Sequence, residues 1–226
     1  MNQAEQGALD LEADKKRALE LTPVSRETKE RLEKFVALLL VWQAKFNLVS
    51  RQSLPLVWSR HVSDSLQLVD LMPEAKVWAD FGAGAGFPGI PIGCAIADRP
   101  GAKIHLIESV SKKANFLREA VQVTGIPGDV HLIRAENFGD SFGDKIDVVT
   151  ARALSPLKTL CDLAFPLIAR GAVGIFPKGQ DVEAELTEAA KYWTIDLTKA
   201  PSKTSPQGCI LIIRGLNPRR SPKARR

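Results

Sequence analysis

The chain has 226 residues, 45% of them hydrophobic and 25% charged, which is the composition of a globular protein able to bury a core without a disulfide or metal staple. Three scattered cysteines in apolar surroundings exclude a disulfide framework. The N-terminus has no apolar core, and the longest apolar run, Phe35 to Trp42, is too short for a bilayer, so a soluble cytoplasmic protein with no membrane partner is expected. The net charge of +5 resides in the last twelve residues, where Arg219, Arg220, Lys223, Arg225 and Arg226 meet no acid; the rest balances 26 basic against 26 acidic residues and has no global field for a polyanion.

Residues 1–22 are polar and are expected to be disordered. A helical extension occupies 23–73. Its first helix starts at Pro23, with Thr22 as a possible cap, and buries Leu32, Phe35, Val36, Leu39, Trp42 and Phe46 at i, i+3, i+4, i+7 spacing. A second helical stretch runs from about Leu54 to Leu71 and is broken by Met72-Pro73. Neither stripe is buried alone, so both should pack on the larger domain C-terminal to them.

Over 74–214 the pattern becomes strand, turn, helix. Strands are expected at Val77–Phe81, Lys103–Ile107, Val130–Ile133, Ile146–Thr150 and Val173–Phe176, with helices at Ile90–Ala97, Ser111–Thr124, Leu157–Ile168 and Val182–Ala190. Apolar strands alternating with helices make a parallel sheet covered on both faces. Trp193–Leu197 and Cys209–Arg214 have no helix between them and end the sheet as an antiparallel hairpin. The last segment, 215–226, reads as a disordered basic tail, suited equally to phosphate contact and to solubility.

The most informative stretch joins the first strand to the next helix: Asp80-Phe81-Gly82-Ala83-Gly84-Ala85-Gly86-Phe87-Pro88-Gly89. Glycines there let backbone N–H groups approach a ligand closely. Two fingerprints fit. Gly84-x-Gly86-x-x-Gly89 matches the dinucleotide pattern of an oxidoreductase, and Asp80-x-Gly82-x-Gly84-x-Gly86 matches that of S-adenosylmethionine methyltransferases. Asp80 tilts the choice to the second, because a carboxylate repels a pyrophosphate but suits an ammonium and a sulfonium; its alternative role is a helix cap. Pro88 removes a donor that a pyrophosphate would want. Glu108, at the end of the second strand, is placed to accept from ribose hydroxyls. At the third strand end, Arg134-Ala135-Glu136 is placed to offer a backbone N–H and a carboxylate to an adenine edge, the alternative for Glu136 being a solvated loop residue. No metal is expected, since His61, His105 and His131 lack ligand spacing.

Together these segments resemble the bacterial 16S ribosomal RNA guanine-N7 methyltransferases, the RsmG or GidB family. The likeness is carried by Phe46-Asn47-Leu48-Val49-Ser50, Arg60-His61-x-x-Asp64-Ser65-Leu66, the Asp80 to Pro91 loop, Glu108-Ser109 with Lys112-Lys113, Arg134-Ala135-Glu136, Thr150-Ala151-Arg152-Ala153 and Pro177-Lys178-Gly179. The resemblance implies a class I S-adenosylmethionine-dependent methyltransferase fold, α/β and Rossmann-like with a mostly parallel seven-stranded sheet, behind an N-terminal helical extension. It implies cofactor contacts at Gly82, Phe87, Ala135, Glu136 and Arg152, with Glu108 on the ribose. The partner it implies is 16S rRNA, in the small ribosomal subunit or its precursor. A monomer is expected.

Guanine N7 has an in-plane lone pair and no proton, so its methylation needs no general base. The sequence lacks both an Asn/Asp-Pro-Pro-Tyr/Phe motif for exocyclic amines and a Pro-Cys dipeptide for attack on pyrimidines, and no catalytic base is assigned. Arg152, beyond the fourth strand, is the best candidate for a functional side chain, the alternative being an ion pair with Asp64 or Asp80. Arg60, His61 and Lys178 are candidate RNA contacts; for Arg60 and His61 the alternative is a bridge between the extension and the core.

Overall fold

The computed structural model of the chain describes residues 3–219. Strands β1 (Val77–Phe81), β2 (Lys103–Ile107), β3 (Gly128–His131), β4 (Val148–Thr150), β5 (Val173–Lys178), β6 (Trp193–Pro201) and β7 (Cys209–Pro218) make one sheet in the order β3-β2-β1-β4-β5-β7-β6. The first five are parallel, and β7 runs antiparallel between β5 and β6. The strands alternate their side chains between two apolar layers. On one face Trp78 and Ile104 join Leu32, Phe35, Ile92 and Phe116. These come from the helical layer of α2 (Arg26–Gln43), α3 (Asp64–Leu71), α4 (Gly89–Ile96) and α5 (Ser111–Thr124). On the other face Ala79, Phe81 and Val149 meet Phe138 and Leu160 of α6 (Ala135–Ser141) and α7 (Leu157–Ile168), with Val182 of α8 (Val182–Ala189).

From β1 the chain moves outward to β2 and β3, then returns to place β4 on the opposite side. That reversal opens a crevice at the carboxyl ends of β1 and β4, where ligands bind in open α/β sheets. No helix among the described residues is long and apolar enough to cross a membrane.

The expected disordered N-terminus is corrected by α1 (Gln3–Leu21). Leu11, Asp14, Ala18 and Thr22 lie at helical spacing and pack on a π-helical turn, Trp58–Ser63. Asp14 is fully buried, and this is why the segment reads as surface from its sequence. Its carboxylate accepts from the backbone N–H groups of Trp58 (2.9 Å) and Ser59 (3.1 Å) and from the Ser59 hydroxyl, satisfying donors that a helix start leaves free. Asp14→Ala is therefore expected to lower stability by about 1–3 kcal/mol, read from the urea unfolding midpoint.

Three smaller expectations also change. Thr22 does not cap α2: its hydroxyl donates to the Ala18 carbonyl and pairs with the Ser63 hydroxyl, while Ser25 accepts from the Thr28 N–H at 3.1 Å. The stretch expected as one helix over Leu54 to Leu71 is a 3-10 turn (Leu54–Leu56), the π-helical turn and α3 in succession. The basic tail begins later than expected, because Leu216 is buried and Gly215 to Pro218 continue β7 against Trp193 to Asp196. Arg219 is the last described residue, and Arg220, Lys223, Arg225 and Arg226 lie outside the described residues.

Candidate active site

The glycine-rich turn leaves β1 with Gly82, Gly84 and Gly86 at φ of +67°, +52° and +86°, a region that L side chains rarely adopt. The three glycines answer different demands. A Cβ on Gly82 would meet Leu154 Cδ1 at 2.6 Å, and one on Gly86 would meet Ile90 at 2.8 Å and Phe35 at 3.0 Å. A Cβ on Gly84 would meet nothing nearer than the Gly82 carbonyl at 3.5 Å, so the protein itself leaves space there.

Two buried acids hold this turn. Glu108, just past β2, accepts from the Gly84 N–H at 3.0 Å and from the Val110 N–H at 2.7 Å. Asp80, near the carboxyl end of β1, accepts at 2.9 Å from the N–H of Gly89, the first residue of α4. Its other oxygen, Oδ1, is buried with no partner. Burial pushes the Asp80 carboxyl up to about 7, against the lowering effect of the Gly89 N–H and Arg152. The start of α4 thus already carries an internal carboxylate acceptor, where a dinucleotide would place its pyrophosphate. This removes the physical basis of the dinucleotide pattern Gly84-x-Gly86-x-x-Gly89.

Beside Gly82 a small cavity is lined by Ile107, Ser109, Arg134, Ala135 and Glu136. Ala135 and Glu136 open α6, a helix that the sequence pattern does not show. A larger cavity of about 550 Å³ lies across Leu154 and Ser155, which line both. Into this second cavity the fold brings Arg60, His61, Asp64, Arg152 and Lys178 from separate segments of the chain.

Arg152 is mostly enclosed and anchors the junction. It donates to the Arg60 carbonyl (3.2 Å) and to His61 Nδ1 (2.7 Å), and pairs with Asp64 at 3.4 Å. Its guanidinium lies 5.2 Å from the Phe87 ring centroid, and Phe87 stacks on His61 at 5.0 Å. Burial and the Arg152 and Arg60 charges bring His61 down to about 3, so its imidazole is neutral. Since Nδ1 accepts from Arg152, the ring proton sits on Nε2. Both the ion pair and the bridge between extension and core that the sequence allows are present. Lys178 is held by Glu185 at 2.6 Å and by the Ser155 carbonyl at 3.2 Å, whereas Arg60 is exposed.

Leu154, Ser155 and the β6–β7 hairpin tip carry no sequence signal as site residues. The tip closes the larger cavity because Thr204 donates to Asp64 at 2.6 Å and the Lys203 N–H donates to Gln67 at 2.8 Å. Pairs like these are visible only when the hairpin has folded back over α3.

A family model described as GidB, rRNA small subunit methyltransferase G, matches residues 28–217. The chain belongs to the GidB family. It is 57% identical over 201 residues to the ribosomal RNA small subunit methyltransferase G of Bradyrhizobium sp. (strain BTAi1), covering 89% of this chain and 90% of that protein. It is 52% identical over 210 residues to the protein of the same name from Nitrobacter hamburgensis, covering 93% and 81%. Among solved structures, a putative O-methyltransferase from Klebsiella pneumoniae superposes with a TM-score of 0.55 at 13% identity, over 89% of this chain and 96% of that one, a likeness of fold.

This GidB-family chain is accordingly a methyltransferase that uses S-adenosylmethionine. When bound, that group supplies an electrophilic methyl on a sulfonium sulfur. The residues present fit it: an open backbone at Gly84, an orphaned buried carboxylate oxygen on Asp80, and a small cavity lined by Ala135 and Glu136. Gly82, Gly84, Gly86, Phe87, Glu108 and Arg152 surround the same turn.

Proposed function

We propose that this chain transfers a methyl group from S-adenosylmethionine to N7 of one guanine of 16S rRNA, in the small ribosomal subunit or its precursor, acting in the cytoplasm as a monomer. The observation that carries this reading is the commitment of the bases around the larger cavity. Asp64 accepts from Thr204, Gln67 and Arg152, and Glu185 accepts from Lys178 and the Leu157 N–H. His61 offers no free lone pair, since Nδ1 accepts a hydrogen bond from Arg152 and Nε2 bears the ring proton.

A site so arranged suits a nucleophile that arrives without a proton, and N7 of guanine is one. The residues then act by position. Arg152 and His61 line the larger cavity and stack with Phe87, while Leu154 and Ser155 line both cavities and lie between cofactor and base. Rate enhancement comes from in-line alignment and exclusion of water. The cofactor contacts of the chain are Asp80, Gly82, Gly84, Gly86, Phe87, Glu108, Ala135, Glu136 and Arg152, and the RNA contacts are Arg60, His61 and Lys178.

The test supplies isotope-labelled S-adenosylmethionine to small-subunit particles from cells lacking this gene, followed by chemical cleavage at 7-methylguanosine. Label at a single guanine N7 is expected. Label on an exocyclic amine or a ribose, or cofactor binding without label on any RNA, would overturn the reading. Arg60→Ala should raise KM for the particle and shallow its salt dependence by about one unit of slope, leaving S-adenosylhomocysteine affinity unchanged.

A further inference from the structure

The parallel register of β2 and β3 sets His105 beside Asp129 and Ile107 beside His131, so residues 105, 129 and 131 share one face of the sheet edge. His105 Nδ1 lies 3.0 Å from His131 Nε2, and one atom each of His105, Asp129 and His131 falls within a 4.8 Å span. Two neutral imidazoles at that separation are satisfied in one of two ways. They share a proton, or they share a cation that both lone pairs address. Ligand nitrogens about 2.0–2.1 Å from a tetrahedral ion stand about 3.4 Å apart, so an ion enters with a few tenths of an ångström of ring movement.

The surroundings favour a metal over a solvated pair. Phe138 and Phe142 pack on both rings at centroid distances of 4.6–6.1 Å and wall off the inner side. Asp129 stands half-exposed at the open side, its carboxylate paired to the Lys103 ammonium at 2.7 Å. A cation already sits where a divalent ion would take the oxygen.

We propose that His105, Asp129 and His131 form a binding site for a divalent transition metal of the zinc or cobalt type, with a fourth position open to water and Lys103 as its built-in competitor. Two imidazoles and a carboxylate are a donor set suited to such ions and poor for magnesium or calcium. Bound metal ties edge strand β3 to β2 a few residues ahead of Arg134 to Glu136, which line the smaller cavity.

The test titrates the full chain with cobalt(II) and reads its visible ligand-field absorption. One equivalent is expected to give tetrahedral bands without a near-ultraviolet thiolate band. His131→Asn should abolish them, and the exposed-position variant Asp129→Asn should weaken binding at least tenfold. Lys103→Met, which frees the carboxylate, should tighten binding roughly two- to fivefold. Retained S-adenosylhomocysteine binding by His131→Asn shows that this variant is folded, and Asp129→Asn decides if it is not. The proposal is overturned if cobalt gives no bands, if thiolate bands show that a cysteine is the ligand, or if the spectrum persists in both variants.

Discussion

Gly84→Asn is expected to cut S-adenosylhomocysteine affinity by at least about 100-fold, close to 3 kcal/mol, while leaving a folded protein. Asparagine visits the left-handed region at small cost, so φ of +52° is tolerated. Its Cβ meets no protein atom closer than 3.5 Å, and the Gly84 N–H that holds Glu108 is kept. The side chain then fills the one open face of the turn, where the backbone must approach the ligand. Gly86→Ala provides the contrast: its Cβ would run into Ile90 and Phe35, so it should lower the melting temperature before it says anything about binding. Calorimetric titration and thermal unfolding separate the two effects. A folded Gly84→Asn variant with wild-type affinity would show that this turn is not where the cofactor binds.

The second large effect concerns Asp80 and pH. Its carboxyl is raised from 3.8 to about 7 by burial, so the folded chain binds a proton there that the unfolded chain has released. Stability from this group is fully present below about pH 4 and is lost as pH rises toward 7, by a few kcal/mol. His61 acts in the opposite sense, because its folded value is depressed from 6.5 to about 3 and its contribution is lost as pH falls below 6.5. The wild-type curve therefore mixes opposing slopes, and the informative quantity is a difference. Asp80→Asn mimics the protonated carboxyl, keeps an acceptor for the Gly89 N–H and cannot ionise. Urea midpoints of the cofactor-free proteins should diverge from about pH 4.5 to 7.5, with the variant gaining relative to wild type. Parallel curves would place the Asp80 titration outside that range. A cationic ligand beside Asp80 favours its ionised form, so S-adenosylmethionine should shrink the difference.

Much of this molecule is legible without coordinates where the signal is short-ranged. β1, β2, α5 and α7 have the expected bounds, because each is an apolar run or stripe with its own stop, such as Gly125 at φ +66° after α5. The glycine turn is legible for the same reason: a strand, a run of small residues and a helix in direct succession. The residues that mislead are those whose partners lie far along the chain. Asp14 looks like a surface acid until Trp58 and Ser59 supply its donors, more than forty residues away. Leu216 looks like part of a polar tail until β6 gives it a partner in Ile195.

Fold class and family were legible from the chain alone, and so was the glycine turn as a strand-to-helix turn, since local periodicity, glycine placement and ordered motifs survive without knowledge of contacts. How the site is shared out among residues came from long-range packing. That packing turned Asp80 toward α4, joined Arg152 to His61 and Asp64 across some ninety residues, folded the β6–β7 tip over the larger cavity, and set His105 against His131. Each of those depends on strand register and on how helices cross the sheet, and a shift of one residue in register would send the same side chains to the opposite face.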